Sequence, residues 1–69
     1  MGGETILVID DSPTILKVVQ LLLTKAGFGV VTAADGEAGL VAARTKRPDM
    51  ILLDFVMPRM NGYQFCREL

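Results

Sequence analysis

Apolar residues along this chain follow two alternating rhythms. Thr5-Ile6-Leu7-Val8-Ile9 is an unbroken run rich in β-branched side chains, the pattern of a strand covered on both faces. Next come Ile15, Val18, Val19, Leu22 and Leu23 at helical spacing, behind Ser12-Pro13, which reads as an N-cap followed by proline at the first helical position. Gly27 stands where that helix needs a C-terminal cap. Gly29-Val30-Val31-Thr32-Ala33 predicts a second strand. Asp35 predicts the cap of a second helix, with Leu40 and the alanines as its inner stripe and Pro48 as its breaker. Met50-Ile51-Leu52-Leu53 predicts a third strand, and Asn61-Gly62 opens a last helical segment.

The expected strands are at about 5–10, 29–33 and 50–54, and the expected helices at about 13–26, 36–45 and 62–69. This β-α-β-α-β-α order specifies an α/β fold with a parallel sheet and right-handed crossovers. No linker, repeat or low-complexity stretch interrupts it, so residues 1–69 read as one small domain.

Composition narrows the chemistry. Half of the 69 residues are apolar, yet a domain near this size buries only roughly 60% of its unfolded surface and is marginally stable without help. A single Cys66 excludes an internal disulfide, and a chain without histidine offers no Cys/His zinc spacing. Seven basic and eight acidic residues give a net charge of −1, which makes no electrostatic case for nucleic acid. The basic cluster Arg44-Thr45-Lys46-Arg47 reads as a solvated helix end. No apolar stretch approaches the ~20 residues that span a bilayer. The first residues lack a signal-peptide core, and the default expectation is a soluble, cytoplasmic chain.

Two of the apolar runs end in carboxylates. Asp10-Asp11 closes the first, and Asp54 closes the third. Open α/β sheets bind ligands at the carboxyl ends of their strands, so three acids are expected to converge at that edge. Such a cluster repels itself unless a cation sits in it, which predicts a metal site with a reactive aspartate. An ionised aspartate attacks phosphorus without a separate base, and its obstacle is repulsion between two anions. Mg2+ removes that obstacle and prefers oxygen ligands, which Asp10, Asp11 and Asp54 supply if their strands are neighbours. The loop after Asp54 can add a backbone carbonyl, with Pro58 and Gly62 stiffening and turning it.

A plainer reading stands beside this one. Asp11 could cap the first helix, and Asp54 could be a strand-end residue paired with a lysine. For a lone aspartate that reading would prevail; a pair plus a third at matching strand ends shifts the balance towards a site. Other motifs fail. Gly27-Phe28-Gly29 leads into a strand rather than a helix, and the acidic turn after the first strand would repel a pyrophosphate. Ser12 has no histidine to activate it. A haloacid-dehalogenase-like phosphatase would want a second Asp two residues after Asp54, where this chain has Val56.

Taken together, the residues resemble a response-regulator receiver domain of two-component signalling. The resemblance rests on Ile6-Leu7-Val8-Ile9-Asp10-Asp11-Ser12-Pro13, on Ala33-Ala34-Asp35-Gly36-Glu37-Ala38, on Pro48-Asp49-Met50-Ile51-Leu52-Leu53-Asp54, and on Met57-Pro58-Arg59-Met60-Asn61-Gly62. It implies that Asp54 accepts a phosphoryl group from the phosphohistidine of a sensor histidine kinase or phosphotransfer protein. It implies direct Mg2+ ligation by Asp11, Asp54 and the Val56 backbone carbonyl, with Asp10 acting through water. Asn61 stands where many members carry Asp, a change expected to leave the metal site intact.

The family winds five strands in the order 2-1-3-4-5. This chain carries the first three, which implies the order 2-1-3 and a receiver fragment without the Ser or Thr of the fourth strand and the Lys of the fifth. An apolar third strand at a sheet edge is a template for another chain, and part of the first helix is expected bare. Self-association is therefore expected, through antiparallel pairing of two third strands or exchange of helices. The competing functional reading is an inactive fragment that serves only as a self-associating structural unit.

Overall fold

Thr5–Ile9 (β1), Gly29–Ala33 (β2) and Met50–Leu53 (β3) form a parallel sheet in the order β2-β1-β3. The computed structural model describes residues 3–53 and 66–68. The last residue expected in β3 and most of the expected final helix lie outside these residues; 66–68 are helical. The unbroken apolar run takes the central place, as a strand covered on both faces should. Ile6, Leu7, Val8 and Ile9 are all buried, Leu7 completely. Register is set along its whole length, with Ile9 opposite both Ala33 and Leu53. At the other end Thr5 and Asp49 hold the first and third strands together. The Thr5 N–H donates to Asp49 Oδ2, and the Asp49 N–H donates to the Thr5 carbonyl, both at 2.8 Å.

The helices follow their sequence signals. In Pro13–Lys25 (α1) Ser12 is the N-cap, its hydroxyl accepting from the Ile15 N–H, and Pro13 opens the helix. Asp11 is therefore not the cap of α1. The helix ends one residue earlier than expected, at the C-cap Ala26, and Gly27 takes a φ of 102° that a Cβ would penalise. Gly36–Lys46 (α2) is capped by Asp35, whose carboxylate accepts from the Ala38 N–H. Glu37 in its first turn and Arg44 and Lys46 in its last complement the helix dipole. Arg47 stops it in the left-handed region, just before the proline expected to do so. The Arg44 guanidinium reaches the Glu68 carbonyl and ties the end of α2 to the last described turn.

Alternation along the strands sends side chains to opposite faces. Leu7 and Ile9 meet Ala33 and Leu40 on the α2 face, with Val31, Ala43, Ile51 and Leu53 packed around them. On the other face α1 lies over β1 and β2. No described helix is long and apolar enough to cross a membrane.

Candidate functional site

The C-terminal edge of the sheet is organised by the turn that joins β1 to α1. The Asp10 N–H donates to the Ala33 carbonyl at 3.1 Å, extending the β1–β2 ladder by one bond. The half-buried Asp10 side chain then accepts from the Ser12 N–H at 2.9 Å. This aspartate turn fixes the carboxylate at the strand end while the Ser12 hydroxyl is spent on capping. The sequence reading missed this contact; an Asp two residues before a helix cap is the signal that could have found it. Asp11 is exposed and projects from the same turn.

Next to this turn lies the end of β3. Leu53 is in register with Ile9, and Asp54 follows Leu53 directly in the chain. A hollow of about 300 Å3 reaches this edge, and Asp10 is among the residues that line it, together with Ile9 and Leu53. Of the expected site residues the structure brings Asp10 and Asp11 together at the end of β1. Asp54 and Val56 lie outside the described residues, and so do Pro58, Asn61 and Gly62. Among the described residues no group of three or more acids, cysteines or histidines forms a metal cluster. The donors that are present, two carboxylates on one turn, suit a hard cation such as Mg2+, which takes oxygen ligands and keeps several waters.

The opposite edge carries a second acid whose contact was also missed. Asp49 spends its side chain on the Thr5 N–H, so it serves the sheet at the end away from the acidic turn.

Comparison with known proteins agrees with this architecture. The chain is 42% identical over 97% of its length to the alkaline phosphatase synthesis transcriptional regulatory protein PhoP of Bacillus subtilis, of which it spans 28%. It superposes with a TM-score of 0.91 on the chemotaxis protein CheY4 of Vibrio cholerae, at 40% identity, covering 94% of this chain and 54% of that one. The response regulator TrrA of Thermotoga maritima, solved in complex with Mg2+ and BeF, matches with a TM-score of 0.91 at 32% identity, over 96% of this chain and 57% of that one. The chain thus spans about a quarter of the PhoP relative and about half of these solved receivers. A family model described as the response regulator receiver domain matches residues 6–69. With its three-stranded parallel sheet in the order 2-1-3 and its acidic turn at the end of β1, the chain belongs to the response regulator receiver domain family.

Proposed function

We propose that this chain is a phosphoacceptor module of a two-component phosphorelay, with Asp54 as the acceptor. The observation that carries the reading is the register of β1 and β3. Ile9 and Leu53 are paired, and the residues that follow them in sequence are Asp10-Asp11 and Asp54. A carboxylate oxygen of Asp54 attacks the phosphorus of a phosphohistidine, on a sensor histidine kinase or a phosphotransfer protein. The P–N bond breaks, its electron pair returns to the imidazole, and an acyl phosphate forms. Asp10, Asp11, Asp54 and the Val56 carbonyl would hold Mg2+, which supplies charge neutralisation between the carboxylate and the phosphoryl oxygens. Asp10, fixed by the Ser12 N–H, keeps the acidic turn in place. The protein acts as a signalling domain rather than a conventional enzyme, works in the cytoplasm, and self-associates as residues 1–69.

Intact mass after incubation with Mg2+ and a small-molecule phosphodonor tests the reading. One phosphoryl group should be added to the unmodified chain and none to Asp54→Asn. No addition to either would sink the phosphoacceptor reading for this chain and favour the structural one.

A further inference from the structure

Several backbone constraints meet at Ser12. Its φ of −95° and ψ of 112° lie in the extended region, the conformation that an N-cap takes. Pro13 enforces the same choice, because its ring crowds the preceding residue out of the helical region. The Ser12 hydroxyl adds a further hold by accepting from the Ile15 N–H at 3.3 Å. The start of α1 thus fixes the backbone of this half-buried residue.

What that backbone carries is the N–H that reaches the acidic turn. It donates to Asp10 Oδ1 at 2.9 Å, while the Asp10 N–H donates to the Ala33 carbonyl. Asp10 is therefore held twice, its backbone by β2 and its carboxylate by the first residue of the α1 cap. The second carboxylate oxygen takes part in no hydrogen bond among the described residues and is left for a cation. The two helix caps differ here. Asp35 turns its own carboxylate onto the Ala38 N–H and serves α2 alone, whereas Ser12 joins its helix to an acid of the candidate site.

A carboxylate already fixed in place loses less freedom when it binds a cation than one that rotates freely. Outer-shell groups that orient a metal ligand are accordingly worth ~10–100-fold in metal affinity.

We infer that Ser12 is a positioning residue of the acidic turn, its hydroxyl and Pro13 together fixing the N–H that orients Asp10. Cation affinity is thereby coupled to the N-cap of α1, although the Ser12 side chain touches no metal. The inference rests on the reading that Asp10 and Asp11 hold Mg2+, and not on phosphoryl transfer to Asp54.

Titration with Mg2+ alone, followed by the amide chemical shifts of residues 10–12, tests it, with urea unfolding of each variant alongside. Ser12→Ala should weaken Mg2+ binding about three- to tenfold, less than removal of an outer-shell partner outright because the N–H remains. Ser12→Gly, which helix caps tolerate with little loss of stability, should weaken it as much with the urea midpoint nearly unchanged. Ser12→Thr keeps the hydroxyl and should bind within about twofold of the unmodified chain. Asp49→Ala also removes an acid, but at the far end of the sheet, and should leave the affinity unchanged in physiological salt. Equal affinity in the unmodified chain, Ser12→Ala and Ser12→Gly overturns the inference and leaves the metal reading standing. So does an equal loss in Asp49→Ala, since affinity would then follow stability and not the turn. An unmodified chain whose shifts ignore Mg2+ overturns the inference and the metal reading together.

Discussion

The two faces of the sheet are covered by helices of opposite character. α1 carries the stronger apolar stripe, with Ile15, Leu16, Val18, Val19, Leu22 and Leu23, yet it has no buried residue. α2 is built largely from glycine, alanine and charged residues, yet it buries Gly36, Gly39 and Leu40 and closes over Leu7, Ile9 and Ala33. Small residues let α2 sit close to the sheet, so a modest apolar content is enough to close that face. α1 offers more apolar surface than β1 and β2 cover, and Val18, Leu21 and Leu22 stay exposed. Amphipathicity tells which side of a helix turns inward; the breadth of the sheet beneath decides how much of that side leaves water.

The contrast is easiest to break by truncating one leucine on each side. Leu7→Ala empties a fully buried site and should cost about 3 kcal/mol or more, enough to unfold most of so small a domain. Leu22→Ala, at a site 63% exposed, should cost under about 0.5 kcal/mol at concentrations where the chain is monomeric. Urea unfolding followed by circular dichroism measures both, and equal losses would erase the distinction between the faces. Caps offer a finer version. Asp35→Ala removes a charge-assisted 2.8 Å bond at the head of the buried helix and should cost about 1–2 kcal/mol. Ser12→Ala removes a 3.3 Å bond at the head of the exposed helix and should cost about half as much. A larger loss for Ser12→Ala would mean that α1 is the better anchored of the two. A small effect is also expected at the strand that both faces share. Asp49→Ala frees the Thr5 N–H and should cost about 0.5 kcal/mol, with faster hydrogen exchange at the Thr5 amide as its direct sign. An unchanged Thr5 exchange rate would show that the clamp does not form in solution.

Much of this fold was legible in the chain because local signals and topology agree. Ser12-Pro13 and Asp35 marked both helix starts, and the run Ile6-Leu7-Val8-Ile9 marked the strand that both faces cover. Strand order was not readable from periodicity, since period tells which residues share a face but not which strands touch; it came from the resemblance. Helix and strand ends moved by a residue where a backbone device intervened, as with Ala26 and Arg47. The acidic turn was legible as composition but not as geometry. Asp10 looks like a free ligand in the sequence, yet one of its oxygens is committed to the Ser12 N–H. Asp11 resembled a helix cap and is not one, because Ser12 takes that place.

The place of β1 in the sheet also governs the order in which the structure can be made. Its two neighbours pair with it and not with each other, and both come later in the chain. A chain emerging from the N-terminus therefore holds its most buried strand unpaired until residue 29 and half-paired until residue 50. Shortening the chain from the front would take away both ladders at once, whereas removing β3 would leave a β1–α1–β2 unit with its pairing intact. The first ten residues thus act as the template on which the rest of the sheet is laid down, and their deletion should damage folding more than loss of β3.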